Sequence, residues 1–497
     1  MDRFSFRAAV HIAQAEFRQW LRSSRIIILF VMLVFVNVQV IGPLRQCKML
    51  MGEMLSIPEA FVALGNSGVI LLIIPILFLV LMADFPQRTG IDRFYQMRCT
   101  KRTWIFGQAV FAAAASCFVL LFLLVSSCVL MIGTGRWSLS FSDAVTHFTS
   151  VYPDRTGDYV VQLLPGNLYQ QMTLEQALIH TFCLLLLYFM LISYVLLFSA
   201  VSNHRYVGIL VNGFAIILGA VTCEVRMKQM WILPMAHTIP WLHYDEYLDR
   251  MNFPMWGSYL YLGAISALLL VLCKGRTLSG KGIGGSRMIE IRNVSLRLDG
   301  KSILNNISLT LEPGKIYGLV GSNGSGKTML MKCICGFVHP TDGEIKTDGR
   351  RVGKDVDYLP NAGIIIETPG FIPYYSGLQN LRLLAGICRK VTDDQIRKAL
   401  KITGLDPDSR LPVRKYSLGM RQRLGIAQAI MEQPDILILD EPMNGLDKHG
   451  VADIRELLME LKKQGKLILL ASHNPADIEL LCDEVYEMEL GNIRNFS

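Results

Sequence analysis

The sequence predicts a membrane all-α domain of six transmembrane helices, followed by an α/β domain built on a phosphate-binding loop. Three observations carry that prediction. Apolar residues make up 52% of the 497-residue chain and charged residues only 18%, below the roughly 25% of soluble domains. Long apolar runs are confined to the first 273 positions, and the mean hydropathy of the whole chain is +0.36. Beyond them the pattern changes to short β-branched runs alternating with helical stretches, around a glycine-rich loop at 321–328.

The apolar runs occupy 26–41, 61–82, 104–132, 178–201, 207–222 and 256–273. The first and fifth fall slightly short of the roughly 20 residues a spanning helix needs, and the others are comfortable. Inside a bilayer only a helix or a closed barrel satisfies its backbone, so unbroken runs of this length predict helices. Residues 1–287 hold 22 Lys and Arg against 14 Asp and Glu, whereas 288–497 hold 27 of each. The basic surplus beside apolar runs reads as membrane orientation, and no nucleic-acid motif accompanies it. With the N-terminus inside, the predicted cytoplasmic pieces carry 15 basic residues and the outer loops seven. Six spans then return the chain to the cytoplasm, which puts the C-terminal domain there.

The segment before the first span does not read as a cleavable signal peptide. Arg3, Arg7, His11, Gln14, Arg18 and Arg22 recur at helical spacing, as do Phe6, Val10, Ala13, Phe17 and Leu21. This predicts an amphipathic basic helix in the inner interface; a helix packed on the C-terminal domain is the alternative. Residues 84–103 form a short polar stretch with interleaved aromatics. It reads either as an element through which the C-terminal domain pushes on the spans or as an anchoring loop. Two outer segments, 133–177 and 223–255, are larger than simple turns. The second mixes Trp231, Trp241, His243, Tyr244 and Tyr247; its aromatics read as an interfacial belt and its histidines as surface residues. Asn37 and Gln39 inside the first span face either a substrate path or another helix. Eleven cysteines lack zinc spacing, and a disulfide between Cys47 and Cys223 stays open. A glycine-rich tether at 274–287 separates the membrane domain (1–273) from the C-terminal domain (288–497).

The loop Gly321-Ser322-Asn323-Gly324-Ser325-Gly326-Lys327-Thr328 matches G-x-x-x-x-G-K-[ST]. Phosphates need backbone N–H groups from a loop without Cβ crowding, a helix N-terminus, and a lysine reaching the terminal phosphates; Thr328 offers a hydroxyl to Mg2+. A strand-like run at 315–320 precedes the loop and a helix-like run comes after it, as a P-loop NTPase requires. About 110 residues later, the apolar run 436–439 ends in Asp440 and Glu441. Asp440 is placed to hold Mg2+ through water, and Glu441 to orient or deprotonate the attacking water. The cofactors predicted are therefore ATP and Mg2+.

Tyr416-Ser417-Leu418-Gly419-Met420-Arg421-Gln422-Arg423 resembles the signature segment of ATP-binding cassette (ABC) proteins. Gly445-Leu446-Asp447 resembles the D-loop of that family, and His473 after Ser472 its switch histidine. The resemblance covers about 210 residues and implies two cassettes meeting head to tail, each ATP lying between one phosphate loop and Ser417 and Gly419 of the other. It makes Glu441 and His473 the hydrolytic pair and adds Asp447 to the nucleotide contacts. It also sets Glu367 at the usual Q-loop glutamine, where it joins Thr328 and Asp440 in the metal site. Glu367 and Ser-Leu-Gly-Met resemble the cassettes of bacitracin- and lantibiotic-resistance exporters, while Leu298 stands where an adenine-stacking aromatic is usual. The membrane half looks like the type-2 (type V) exporter fold. The resemblance thus implies an ATPase coupled to export of a hydrophobic peptide, peptide antibiotic or lipid-like compound. It would work as a homodimer, or as a heterodimer with a related chain, in a bacterial plasma membrane with its N-terminus and ATPase domain cytoplasmic. A non-transporting ATPase that relays a signal to a membrane partner is the alternative.

Overall fold

The computed structural model describes residues 4–495 apart from 67, 87–94, 96–97, 203, 245–250, 275–287, 299, 368–369 and 389–390. The glycine-rich tether and much of the 84–103 stretch therefore lie outside the described residues. The chain divides into two compact units: Ala13–Gln87 with Ile105–Gly275, and Met1–Ile12 with Arg88–Trp104 and Arg276–Ser497.

In the helical unit, five helices among the described residues are long and apolar enough to cross a membrane: Ser24–Met51, Lys101–Leu130, Leu174–Val201, Arg205–Glu224 and Met255–Cys273. At 1.5 Å per residue, 20 residues reach about 30 Å, the thickness of the hydrocarbon core. The two runs that look short in sequence thus lie in longer helices. The first is continuous through a π-helical turn at Asn37–Ile41, where Asn37 is exposed and Gln39 half-buried.

The second apolar run is divided. Helix Glu59–Leu64 stops at Gly65, and helix Gly68–Leu81 comes next with Pro75 inside it. A Cβ at Gly65 would lie 2.4 Å from the Thr181 methyl on Leu174–Val201, so the chain passes this helix where only glycine fits. The carbonyl of Asn66 at the break accepts the Trp241 indole N–H (3.0 Å). Glu59, fully buried, accepts from the Ser142 N–H (2.6 Å), the Ser142 hydroxyl (3.1 Å) and the Ser56 N–H (3.1 Å). The outer half of this run is thereby tied to segment 133–177, which folds into short helices including Asp143–Thr146, Phe148–Val151, Tyr159–Leu163 and Gly166–Gln171.

One open question closes here and one expectation is corrected. Cys47 and Cys223 are buried free thiols, and the Cys47 thiol donates to the Ala144 carbonyl (3.4 Å) instead of pairing with the other. His237 and His243 are not surface residues; both are fully buried. The first helix, Phe6–Leu21, buries Ala8, Ala9, Ile12, Ala13, Ala15, Glu16 and Trp20 and leaves Phe6 62% exposed. Of the apolar stripe, Ala13 is buried and Val10, Phe17 and Leu21 are half-buried. His11 lies 3.2 Å from the Leu383 carbonyl, both within the second unit.

The second unit carries two sheets. One has four antiparallel strands, in the order β2 (Lys301–Leu311), β1 (Ile289–Leu298), β4 (Asp342–Thr347), β5 (Arg350–Arg351). The other has six, in the order β10 (Asn492–Asn495), β9 (Glu484–Glu489), β3 (Ile316–Val320), β8 (Leu467–Ala471), β7 (Ile436–Asp440), β6 (Ala362–Ile365). All its pairs are parallel except β9 with β10. Strand β8 is buried at every position, which accounts for its continuous apolar run: a parallel strand covered on both faces has no solvent side to alternate toward. Register aligns Ala471 with both Leu319 and Asp440. The carboxyl ends of β3, β7 and β8 therefore share one edge, where open α/β sheets hold ligands.

Candidate nucleotide site

The glycine loop, the Asp440–Glu441 pair and His473 lie at the ends of β3, β7 and β8 respectively. After β3 the chain turns through Gly321, Gly324 and Gly326, all at positive φ. At Gly321 a Cβ would meet the Met488 carbonyl at 2.2 Å, so both φ and space exclude a side chain. Helix Lys327–Cys335 begins at the end of this loop, aiming its free N–H groups and positive dipole end at the cavity.

The cavity has a volume of about 530 Å3 and is walled by the loop residues 323–328, Glu367, Asp440, Glu441, His473 and the start of helix Leu418–Ile430. The Lys327 ammonium donates to the Gly321 (2.6 Å) and Ser322 (3.1 Å) carbonyls. Burial lowers its pKa, while Glu441 and Asp440 hold it up. Thr328 donates to Asp440 Oδ2 (2.8 Å), so a hydroxyl and a carboxylate already converge at one point. The Ser325 hydroxyl is buried and has no protein partner. An orphaned donor, a glycine loop that a Cβ would block and an ammonium at its centre suit a polyphosphate. Thr328 and Asp440 suit the hard-oxygen preference of Mg2+.

Glu441 comes directly after β7 with φ of 49°, an uncommon value for a residue with a Cβ. Its backbone holds it there: its N–H donates to Ala471 O (3.0 Å) and its carbonyl accepts from Gln422 Nε2 (3.0 Å). Its carboxylate lies 3.4 Å from His473 Nε2 and accepts the His473 N–H at 3.4 Å. Burial pushes the Glu441 carboxyl above its ordinary range, and His473 opposes that rise.

Other sequence-predicted residues are placed differently. Glu367 lines the cavity but is ion-paired with Lys332. Ser417 is exposed and caps helix Leu418–Ile430, accepting the Met420 N–H at 3.1 Å. Gly419 sits where a Cβ would come 2.8 Å from the Gly445 carbonyl. Asp447 caps helix Lys448–Lys463, accepting the Gly450 N–H at 3.1 Å. Ser417 and Gly419 are not in the cavity wall; Leu418, Arg421 and Gln422 are.

Sequence reasoning passes over Gln422, Asn444 and Lys332 as functional candidates. Gln422 and Asn444 stand in or beside the quoted motifs, so their position is a signal; Lys332 meets Glu367 only through the fold. The chain from Ser472 Oγ to Asp477 Oδ2 (2.8 Å), and from Asp477 Oδ1 to Arg455 Nε (2.9 Å), also has no local pattern. It anchors the residue before His473.

The family profile described as ABC transporter matches residues 304–444. An uncharacterized ABC transporter ATP-binding protein of Bacillus subtilis (strain 168) is 44% identical over 206 residues, which are 41% of this chain and 94% of that protein. The bacitracin transport ATP-binding protein BcrA of Enterococcus faecalis is 41% identical over 41% of this chain and 68% of its own length. A lantibiotic transport ATP-binding protein of Streptococcus pyogenes is 37% identical over 39% of this chain and 84% of its own length. A solved ATP-binding subunit of an ABC transporter aligns over 42% of this chain and 90% of its own, at 26% identity and a TM-score of 0.39. The chain belongs to the ABC transporter family, as an ATP-hydrolysing member that joins a cassette to apolar membrane-length helices.

Proposed function

We propose that two copies of this chain form one ATP-driven exporter of a hydrophobic peptide, peptide antibiotic or lipid-like compound across a bacterial plasma membrane, with both cassettes cytoplasmic. The observation that carries the coupling is an ion pair. Arg98 Nε lies 2.6 Å from Glu432 Oε1, with side chains only 9% and 18% exposed. Arg98 stands three residues before the membrane-length helix Lys101–Leu130, and Glu432 two residues after helix Leu418–Ile430, which carries the signature segment. A movement of that helix on nucleotide binding is thereby delivered to residues leading directly into a span. Relatives that carry bacitracin or lantibiotics in their names support the cargo class by analogy.

Within the site, the loop N–H groups and Lys327 hold the phosphates, Thr328 and Asp440 hold Mg2+, and Glu441 positions and deprotonates the attacking water with His473 beside it. The bound Mg2+ supplies charge neutralisation at the phosphates. Ser417, Gly419 and Asp447 serve the nucleotide across a head-to-tail cassette dimer, since one chain has one phosphate loop and one signature segment.

The purified chain in lipid nanodiscs should hydrolyse ATP and be stimulated by one class of peptide or lipid. A well-folded but inactive chain would replace the homodimer with a heterodimer. Glu432→Arg should keep basal ATPase within about threefold and lower cargo-stimulated transport by about tenfold or more, because it sets two cations together at a mostly buried position. Combining it with Arg98→Glu should restore part of the transport; equal transport in all three forms would remove the pair from the coupling path.

The rate should also carry an acid limb. Proton acceptance needs the Glu441 carboxylate, and its raised pKa means that form is lost, as pH falls, before an ordinary carboxylate would protonate. His473→Ala removes a group that lowers this pKa, so the limb should move to higher pH. A limb that stays in place would detach His473 from Glu441.

A further inference from the structure

We infer that His237 and His243, in the segment between helices Arg205–Glu224 and Met255–Lys274, form with Ser258 of the second helix a site that binds a single proton. A count of hydrogen-bond donors and acceptors leads there. His237 Nε2 lies 2.9 Å from the Trp231 carbonyl, and His243 Nδ1 lies 3.0 Å from the Ile239 carbonyl. A carbonyl only accepts, so both of these ring nitrogens carry hydrogen. In neutral imidazoles the opposite nitrogens are then bare lone pairs. Both of those, His237 Nδ1 and His243 Nε2, lie 2.8 Å from the Ser258 hydroxyl. That hydroxyl has one hydrogen and cannot donate to two acceptors. One added proton completes the set: an imidazolium donates to Ser258 Oγ, and the Ser258 O–H donates to the other ring. Two added protons would let both rings donate to the two lone pairs of Ser258 Oγ, but they would set two buried cations against one oxygen, and charge on His237 disfavours charge on His243, so repulsion stops uptake at one.

A second observation points the same way. The imidazoles are walled by aromatic rings. Trp231 lies 5.4 Å from His237 and 5.0 Å from His243, and Phe253 stacks on Trp231 at 4.7 Å. Tyr261 stacks on His237 at 4.1 Å. Aromatic faces within about 6 Å stabilise a buried cation, and His237, His243 and Ser258 are all fully buried. A charge here is thus held by π-systems and one hydroxyl rather than by a carboxylate.

Opposing forces set the pH. Burial lowers both histidines, His243 to about 4, and His237 further disfavours charge on His243. His180, paired with the Tyr259 hydroxyl at 2.9 Å, adds another unfavourable effect on His243. The backbone of Trp231 pulls the other way on His237, and that of Ile239 and Pro240 on His243, each favouring the charged ring. Among the described residues no carboxylate acts on either ring; Asp245, Glu246 and Asp249 lie outside them. The shared hydroxyl and the aromatic wall also act against burial. Uptake is therefore placed below the usual histidine range. With the proton bound, segment 228–243 is fastened to helix Met255–Lys274 at both ends of one serine. Without it, one imidazole has no donor there and the fastening is single.

The test uses the full chain in nanodiscs, labelled with 15N-histidine and followed by solid-state NMR from about pH 8 to about pH 4, the range that brackets histidine titration. The expected result is one imidazolium appearing per His237–His243 pair, assigned with His237→Gln and His243→Gln. Ser258→Ala should move that step down by about one pH unit or more, the size of one hydrogen bond to a charged group. Two imidazoliums rising together, no step within that range, or a midpoint indifferent to Ser258→Ala would overturn the site. Should the variants not fold, the wild-type count alone decides, since two or none refutes a one-proton site. Trp231→Phe adds an optical check. Quenching of the Trp231 fluorescence component should track the same midpoint in the native chain, and a Trp231 signal flat across that step would count against the proposal.

Discussion

Glu441→Gln should lower the steady-state ATPase rate by about 10²–10⁴-fold, the usual worth of a positioned general base, while ATP affinity changes by only a few-fold. The substitution is nearly isosteric, and the features that place the side chain belong to the backbone: the N–H on Ala471 O and the carbonyl on Gln422 Nε2. The strained φ of 49° is no worse for glutamine than for glutamate. What changes is proton affinity, because an amide oxygen beside His473 can still orient water but cannot take its proton. Binding without turnover should accumulate the cassette dimer, read as an ATP-dependent shift in mass or in cross-linking between copies, alongside phosphate release. If the variant released phosphate at the native rate, Glu441 would not be the base. If it lost ATP binding as well, its carboxylate would be holding the nucleotide or its metal instead.

How far such a site can be read in advance differs between the two halves. The cassette is legible because its chemistry is local. A phosphate loop needs closely spaced glycines and a lysine, and a carboxylate at a strand end needs only an apolar run before it, so Gly321–Thr328 and Asp440–Glu441 announce themselves. What local pattern hides is pairing at a distance. Lys332 holding Glu367, Arg455 holding Asp477 and Arg98 holding Glu432 join residues 22 to 334 positions apart, and no periodicity marks them.

In the helical half, hydropathy locates apolar matter but not its breaks. Residues 61–82 look continuous because Gly65 and Asn66 hardly interrupt the apolar average, yet one glycine-sized approach to Thr181 divides the run. In helix Phe6–Leu21 the apolar stripe is conspicuous in sequence, yet Ala8, Ile12 and Trp20 outside it are buried more deeply than Val10, Phe17 and Leu21 within it. His237 and His243 read as surface residues because histidine is polar. Their burial depends on Ser258, 15 and 21 residues later, arriving from another helix. Residue type predicts exposure only while no distant partner satisfies the polar atoms.

Lys327→Ala should weaken ATP binding by about 10²–10⁴-fold and abolish turnover at millimolar ATP. Two charge-assisted hydrogen bonds to phosphate oxygens, at about 1.5–3 kcal/mol each, amount to about 3–6 kcal/mol, and each 1.4 kcal/mol is about tenfold. In the structure the ammonium already bridges Gly321 and Ser322 O, so it holds the loop open at the position the phosphates need. The alanine variant loses that support too, and part of its defect would then belong to loop collapse. Lys327→Arg separates the two effects, since it keeps the charge while its planar fork cannot sit on both carbonyls in the same way. Thermal unfolding with and without ATP reads the outcome. The native chain should gain about 2.7 kcal/mol at about 100 times its dissociation constant, Lys327→Ala close to nothing, and Lys327→Arg an intermediate amount. An ATP-dependent stabilisation of Lys327→Ala equal to the native one would mean that the loop N–H groups alone bind the nucleotide, and that the lysine acts only in the chemical step.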